Sequence, residues 1–275
     1  MIDNIKNNIV IVRGAGDIAS GIIWYLHKAH FKVIALEISN PSSIRREVCF
    51  SEAIYDGKKS IEGVNCIYCK NDNEMYDTIQ NNSVSIIVDE NLDILKRIKP
   101  KALIDAILAK KNLGTKIDMA DLVIGVGPGF CAGVDCHYAI ETMRGHSLAK
   151  IIEHGEPIPN TGVPGLILSH GEDRVIHSGA TGEIFLEHNI SDKVKKGDVL
   201  AYIKDDAGNT TNVYATIDGV LRGIIKNGFY VKKGLKIADI DPRLSEIENC
   251  FTISDKARSI GGAVLLAVNM KYNYE

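Results

Sequence analysis

A glycine-containing turn between a buried strand and a helix constrains the fold of this 275-residue chain more than any other feature. Residues 9–12 are four β-branched residues in a row, which is typical of a buried strand. "GAGDIASG" follows, and from Asp17 to Ala29 apolar residues recur at helical spacing. Gly14, Gly16 and Ala19 therefore fit the pattern G-x-G-x-x-G/A between a strand and a helix. This arrangement predicts an open α/β sheet that begins at this turn.

Further short apolar segments alternate with helical segments in the first half of the chain. We predict strands at 31–37, Ser83–Asp89, Lys101–Leu108 and Asp121–Gly127, with a helix near Leu92–Ile98. Short apolar strands that alternate with helices indicate a parallel sheet covered by helices on both faces. The sequence therefore predicts an α/β fold class, with a Rossmann-like nucleotide-binding domain over residues 1–130.

The second half of the chain contains an internal repeat. An offset of 37 residues superimposes Gly182 on Gly219 and "VKKG" (194–197) on "VKKG" (231–234), without a gap. Two copies are too few for a solenoid, and they predict two similar β-sheets closed against each other. The segment resembles biotinyl/lipoyl-like domains, so we expect a small all-β barrel-sandwich hybrid domain over 175–242. Carriers of that type hold a modifiable lysine where this chain has Gly208, so we expect no lipoyl or biotin attachment lysine and the fold alone.

Two segments flank the predicted β domain. Residues 131–174 are interpreted as a connecting strand and polar motif region. Residues 243–275 are predicted to contain a C-terminal helix, capped by Ser254 or Asp255, that returns to the first domain.

The first glycine turn predicts a site for a nucleotide. Glycines there permit a tight turn and a close approach to a pyrophosphate, and the N–H groups of the first helical turn favour an anion. Glu37 ends the second strand, where an acid would bind ribose hydroxyls. The predicted cofactor-binding residues of this turn are Gly14, Ala15, Gly16, Asp17, Ile18, Ala19 and Glu37.

Two considerations limit this prediction of a nucleotide site. In the alternative, the glycines serve packing alone and the turn binds nothing. The charge of Asp17 would oppose a phosphate, and Arg13, Arg45 and Arg46 are candidates to offset it.

A second glycine loop, "GPGF", follows the strand predicted at Asp121–Gly127. Glycines at a strand end can expose backbone N–H groups that bind an anion, so Gly127, Pro128, Gly129 and Phe130 are further candidate binding residues. The alternative is a tight connection without a ligand. The adjacent Cys131 and Cys136 do not have the spacing of a zinc site. Cys66 and Cys69 are three apart on a predicted strand and would face opposite sides, so no metal site is expected.

The residues after this loop alternate between polar and apolar. Asp135, His137 and Glu141 would share one face of an extended strand, with Arg144 and His146 beyond it. These five residues are the candidate catalytic set. The alternative is an ordinary solvent-facing strand.

Composition limits the function classes. The net charge is −3 and the pI is near 6.3, which does not indicate nucleic-acid binding. We expect neither a signal peptide nor a membrane span, so the cytoplasm is the expected location and the six cysteines are expected to be reduced. A homodimer is among the expectations.

Five segments carry a resemblance to a known family. They are "VRGAGDIASG", "IRREVCFSEAIYDG", "GVGPGFCAGVDCHYAIETMRGH", "PNTGVPG" and "ISDKA". They resemble the selenium-dependent molybdenum hydroxylase accessory proteins of the YqeB family, with a looser similarity to xanthine dehydrogenase accessory factors. The resemblance implies maturation of such a hydroxylase, with the hydroxylase as partner.

Three hypotheses for function follow. The first is an accessory protein for hydroxylase maturation that binds NAD, another nucleotide or a molybdopterin dinucleotide. The second is an NAD-dependent oxidoreductase with His137 or His146 as its acid/base. The third is a non-enzymatic scaffold for the hydroxylase. The sequence leaves open whether the protein is an enzyme.

Overall fold

The computed structural model of the chain describes residues 8–162, 168 and 170–272. Residues 163–165 of the "PNTGVPG" motif lie outside the described residues. The chain divides into two compact units. Unit 1 comprises Met1–Pro41, Cys49–Thr161 and Ile253–Glu275, and unit 2 comprises Ser42–Val48 and Gly162–Thr252. This division differs from the predicted limits at 130, 174 and 242, since unit 1 also takes in residues 131–161 and the last 23 residues.

The described residues form the following elements. The α-helices are α1 (Asp17–Lys28), α2 (Ala53–Asp56), α3 (Asp72–Gln80) and α4 (Asp255–Tyr272). The strands of unit 1 are β1 (Ile9–Arg13), β2 (Lys32–Glu37), β3 (Lys58–Ile61), β4 (Val64–Tyr68), β5 (Val84–Val88), β6 (Ala102–Asp105), β7 (Leu122–Val126), β8 (Tyr138–Ile140) and β9 (Ile151–Ile152). The strands of unit 2 are β10 (Val175–His177), β11 (Gly182–Leu186), β12 (Lys193–Val194), β13 (Val199–Lys204), β14 (Thr210–Tyr214), β15 (Gly219–Ile224), β16 (Tyr230–Val231) and β17 (Lys236–Asp241). Short 3₁₀ helices span Arg46–Val48, Phe50–Glu52, Asp93–Lys96, Ile117–Met119, Glu172–Arg174 and Leu244–Cys250.

Unit 1 is built on one nine-stranded sheet in the order β3-β4-β5-β2-β1-β6-β7-β8-β9. The strands from β4 to β8 pair in parallel, but β3 pairs with β4 and β9 pairs with β8 in antiparallel fashion. The predicted Rossmann-like parallel sheet is therefore corrected to a mixed sheet. Its two edges are antiparallel because β3 and β9 are reached through short connections that reverse the chain.

The centre of this sheet contains a point where successive connections leave in opposite directions. β1 pairs with β2 on one side and with β6 on the other. In open sheets of parallel strands, ligands bind outside the carboxyl ends of the strands at such a point. The carboxyl edge of unit 1, where β1, β2, β6 and β7 end, is therefore the expected place for a ligand.

The core of unit 1 lies on both faces of the sheet. One cluster joins Val10 and Val12 of β1 to Ile22 and Leu26 of α1 and to Ile260 of α4. A second cluster, on the opposite face, contains Ile9 and Ile11 of β1 and the apolar residues of α3. Strands buried on both faces need continuous apolar sequence, which explains the composition of β1.

Unit 2 consists of two four-stranded antiparallel sheets around one core cluster. Their orders are β10-β17-β15-β12 and β14-β13-β11-β16. The prediction of a barrel-sandwich hybrid domain is corrected to this pair of antiparallel sheets. The 37-residue repeat accounts for the pairing, because each copy places two strands in one sheet and its short "VKKG" strand in the other.

The repeated glycines have the same packing reason in both copies. A Cβ atom on Gly182 would lie 2.2 Å from the carbonyl oxygen of Lys204, and one on Gly219 would lie 2.3 Å from that of Asp241. Lys204 and Asp241 are themselves 37 residues apart. The repeat in the sequence is thus a repeat of backbone contacts.

Candidate functional site

The turn after β1 is held in a fixed shape by its neighbours. Gly14 has φ +97°, and a Cβ atom there would lie 3.1 Å from the carbonyl oxygen of Ala106, directly after β6. The N–H of Gly14 donates to the carbonyl oxygen of Leu36 at 2.8 Å. The N–H of Ala15 donates to Oε2 of Glu37 at 2.9 Å. Only glycine fits at position 14, since the position combines a left-handed φ with close backbone contact.

The start of α1 leaves several backbone donors without protein acceptors. Gly16 is the N-cap, and no side chain caps the helix. Within the described part of the chain, the N–H groups of Gly16, Ile18 and Ala19 donate to no protein acceptor, while the carbonyl oxygen of Gly16 accepts from Ser20. Such groups, together with the partial positive charge of a helix N-terminus, favour an anion.

Glu37 lies at the end of β2, as the sequence predicts, but its carboxylate contacts the protein backbone. Oε1 accepts the N–H of Ile38 at 2.9 Å, and Oε2 accepts that of Ala15. Burial raises the pKa of this carboxyl group, and the two backbone hydrogen bonds act in the opposite direction. Each carboxylate oxygen can accept a second hydrogen bond, so the contacts leave capacity for a hydroxyl group.

Helix α4 brings a lysine to the same edge of the sheet. A Cβ on Gly21 of α1 would lie 2.6 Å from the carbonyl oxygen of Ala257, and Gly261 contacts Gly21 and Tyr25. Increasing residue numbers on α1 thus meet increasing numbers on α4, so the two helices run parallel. Their N-termini lie at the same carboxyl edge, and Lys256 sits in the first turn of α4.

Lys256 is partly buried among charged groups. Burial lowers the pKa of its ammonium group, and Arg144 lowers it further. Asp17, Glu141 and Asp255 lie close enough to raise it. A lysine whose charge is disfavoured by its surroundings is a candidate for anion binding or for proton transfer.

Sequence reasoning missed Lys256. Its segment, "ISDKA", by itself indicates only the family resemblance and a helix start. The Ser254 hydroxyl does cap the helix by accepting the N–H of Ala257 at 3.2 Å. Nothing in the linear sequence connects this helix start with the turn at Gly14.

Two members of the predicted catalytic set, Glu141 and Arg144, also lie at the carboxyl edge. Glu141 follows β8 and is 2% exposed. Its carboxylate accepts the N–H of Met143 at 2.6 Å and that of Ile158 at 2.7 Å. Arg144 donates to both carboxylate oxygens of Asp255, at 2.8 and 2.9 Å. Glu141 therefore organises the segment after β8, and Arg144 fixes the start of α4.

Asp135 and His137 lie at the opposite, amino edge, because both precede β8. Asp135 accepts the N–H of Cys131 at 3.0 Å. Nδ1 of His137 accepts the N–H of Val123 at 3.0 Å. Burial lowers the pKa of His137, and Lys271 lowers it further. The structure does not bring these two residues together with Glu141 and Arg144, and His146 is an exposed residue after them.

The "GPGF" loop is closely packed. Phe130 is 4% exposed and covers Gly125, where a Cβ atom would lie 2.3 Å from its ring. A Cβ on Gly129 would lie 2.4 Å from Cα of Lys111. The N–H of Gly127 donates to the carbonyl oxygen of Ile140. Packing accounts for these residues, and contact of Gly127, Pro128 or Gly129 with a ligand stays a prediction.

Each of the three arginines expected to offset Asp17 donates hydrogen bonds to other groups. Nη1 of Arg13 donates to Oδ2 of Asp105 at 3.0 Å and to Thr115 at 3.2 Å. Arg13 and Asp105 are both buried, and the pair ties the end of β1 to the end of β6. Arg45 and Arg46 belong to unit 2, where they donate to the carbonyl oxygens of Asn249 and Ile224.

The cysteines do not gather into a site. Cys66 belongs to the core cluster on one face of the sheet, and Cys69 belongs to the cluster on the other face. Residues 8–162, 168 and 170–272 contain no group of three or more His, Cys, Asp or Glu side chains that could hold a metal ion. Over the same residues, no helix is both long and apolar enough to cross a membrane.

Comparison with solved structures finds low similarity to three kinds of protein. An aspartoacylase family protein from Mesorhizobium loti is 9% identical, covers 86% of each chain and has a TM-score of 0.31. A succinylglutamate desuccinylase from Silicibacter is 12% identical over 85% of this chain and 84% of its own, with a TM-score of 0.28. The ectoine utilization protein of Ruegeria pomeroyi, with product bound, is 21% identical over 34% of this chain and 28% of its own, with a TM-score of 0.25. At such TM-scores the likeness assigns no activity to this chain.

The predicted function, maturation of a molybdenum hydroxylase, is corrected, since the names of these structures do not agree with it. The similar structures are named as aspartoacylase, succinylglutamate desuccinylase and ectoine utilization proteins. The oxidoreductase and scaffold alternatives are corrected with that function.

Sequence comparison gives one strong similarity, while no family model matches the chain. An Escherichia coli protein, named as uncharacterized protein YqeB, is 44% identical over 264 residues, which is 96% of this chain. The alignment covers 48% of that protein, so the chain spans about half the length of the curated relative it matches. The name of that relative assigns no activity. Over the aligned length, the similarity supports the YqeB family as the family of this chain.

Proposed function

We propose that the carboxyl edge of unit 1 binds a small phosphate-bearing ligand of nucleotide type. The observation that carries the proposal is the set of backbone N–H groups of Gly16, Ile18 and Ala19 that donate to no acceptor in the described protein. They open α1 directly after a turn whose shape is fixed by Gly14 and Glu37. Backbone donors at the start of a helix are a frequent binding site for phosphate groups.

Lys256 supports the proposal by adding a positive charge near these donors. It lies within electrostatic reach of Asp17, the first residue of α1. A phosphate bound there would contact both the helix N-terminus and the ammonium group of Lys256. The phosphate would also offset the cost of burying the positive charge of Lys256. The same phosphate would also stand close to Asp17, so Lys256 would be needed to balance the two negative charges.

Glu37 supports a ribose next to the phosphate. Its two oxygens are held by backbone N–H groups, so the carboxylate is oriented without help from a ligand. A hydroxyl pair of a ribose would use the remaining acceptor capacity of these oxygens. Its charge disfavours a phosphate on those hydroxyls, which favours NAD or ADP over their 2′-phosphorylated forms.

Isothermal titration calorimetry with ADP, ADP-ribose and NAD tests the proposal. We expect saturable binding of at least one of them, weakened at least tenfold by Lys256→Met, which is a loss of about 1.4 kcal/mol. Glu37→Gln should weaken the ribose ligands and leave the binding of inorganic pyrophosphate unchanged. Lys58→Met and Glu153→Gln are the matched controls, since both residues are exposed. Absence of saturable heat with all three ligands, or unchanged affinity in Lys256→Met, would contradict the proposal.

A further inference from the structure

A cavity lies at the amino edge of the sheet in unit 1. Its volume is about 440 Å³, which is within the range of about 300–1,000 Å³ that is usual for small-molecule sites. Its walls are formed by the residues before β6 and β7, by Tyr76 of α3 and by the last residue of α4. Six side chains matter for its chemistry, namely Tyr76, Arg97, Lys99, Lys101, Asp121 and Tyr272.

The lining of this cavity carries an excess of positive charge. It contains three basic side chains and one acidic side chain. Nζ of Lys99 pairs with Oδ1 of Asp121 at 2.9 Å, but the two side chains are 77% and 56% exposed. An ion pair so exposed is weak and exchanges readily with solvent or with another anion. Arg97 pairs with Asp72, at a distance of 2.9 Å, with both side chains half exposed.

Lys101 differs from the other two cations. Among the described residues, no carboxylate lies within ion-pair distance of its ammonium group. Nζ instead lies 4.0 Å from the ring centre of Tyr272. The Tyr272 hydroxyl donates to the carbonyl oxygen of Lys101, so ring and lysine are fixed against each other. The cavity therefore holds a positioned cation beside a positioned aromatic ring.

The remaining walls are apolar or aromatic. Tyr76, Ile98 and Pro100 line the cavity together with Tyr272. Flat apolar surfaces next to a cation complement a molecule that has a ring and an anionic group.

We propose that this cavity binds a small aromatic anion, with its ring against the tyrosine and proline walls and its phosphate or carboxylate group on Lys101. The inference does not depend on the proposed function of the carboxyl edge. The four residues of β6 and the five of β7 separate the two edges, at about 3.3 Å per residue.

Calorimetry of the full chain with three probes tests this inference. We expect phenyl phosphate or benzoate to bind with a Kd below about 1 mM, and inorganic phosphate to bind at least tenfold more weakly than phenyl phosphate. The phenyl phosphate and benzoate titrations distinguish a phosphate ligand from a carboxylate ligand. Equal affinity for phosphate and phenyl phosphate, or no saturable heat with either aromatic anion, would overturn the inference.

Three variants locate the binding. Lys101→Met should lower the affinity for the aromatic anion at least tenfold, Lys101→Arg should restore most of it, and Tyr272→Leu should weaken binding while leaving the charge in place. Lys58→Met serves as control for a general loss of charge, and Lys256→Met as control for the carboxyl edge. Circular dichroism checks that each variant is folded. Unchanged affinity in Lys101→Met would show that the anion binds elsewhere and would overturn the inference.

Discussion

At the scale of single residues, the position of Lys256 is one that stability does not explain. Burial and the neighbouring Arg144 both disfavour its charge. A methionine or leucine of similar length would fill the same space without that cost. Groups kept at a cost to stability are typical of functional sites, which is consistent with a role in ligand binding.

The pH dependence of stability tests this view of Lys256. The folded-state pKa of its ammonium group is lowered from its ordinary value of 10.5. The charge of Lys256 therefore lowers the stability of the folded state fully at any pH below its folded-state pKa. This loss becomes smaller as the pH rises through the folded-state pKa, and it is gone above the pKa of the unfolded chain. Lys256→Met should be more stable than the natural chain in urea at pH 7, and the difference should shrink above pH of about 10. A variant that is less stable than the natural chain at pH 7 would contradict this reading.

Single residues also show what a sequence can predict about a site. The positions of Gly14, Gly16 and Glu37 were predictable because they follow from a contiguous turn and from the end of the next strand. Lys256 was not, since it reaches the site through the packing of a distant helix. The prediction for His137 depended on an extended strand through Glu141, and β8 is only three residues long. The two residues therefore lie at opposite edges of the sheet.

At the scale of elements, the contact between α1 and α4 positions the candidate site. The helices approach closely because Gly21 and Gly261 face each other. A Cβ on Gly261 would lie 2.8 Å from the carbonyl oxygen of Gly21 and 2.8 Å from Cδ2 of Tyr25. A Cβ on Gly262, one residue later, would lie 3.8 Å from its nearest neighbour, Cε1 of Tyr25.

These two adjacent glycines make a matched pair of variants. Gly261→Ala should lower the free energy of unfolding by about 1–3 kcal/mol, because it forces apart two packed helices. Gly262→Ala should raise it by up to about 1 kcal/mol, because alanine favours a helix and meets no clash. Urea denaturation measures both. Equal effects of the two substitutions would mean that the close contact of α1 and α4 does not control stability.

The elements also show where sequence patterns were insufficient. The strands β1, β2, β4, β5, β6 and β7 were visible in the sequence, but β3 was not. The antiparallel pairing of β3 and β9 depends on partners that no local pattern specifies. In unit 2 the repeat was visible from "VKKG". The sequence did not show that the short strand of each copy, β12 or β16, pairs with a strand of the other copy. Hydrophobic pattern indicates that a strand exists, whereas sheet order is decided by tertiary packing.

At the scale of the whole molecule, unit 1 carries two candidate sites at opposite edges of one sheet. The carboxyl edge combines unpartnered backbone donors with Lys256, and the amino edge has a cavity lined by Lys101 and Tyr272. The strands between them are fully buried, which provides a rigid support for both. Each site can therefore be removed by substitution without removing the other.

The most direct test of the central claim is a nuclear magnetic resonance titration of backbone amides with ADP. Hydrogen bonding to a phosphate should move the amide signals of Gly16, Ile18 and Ala19 in a saturable manner, with little change at Gly129, which packs against Lys111. The same three signals should need at least tenfold more ADP to move by the same amount in Lys256→Met. Signals that remain unmoved in the natural chain, while ADP shifts residues elsewhere or none, would contradict a phosphate site at the start of α1.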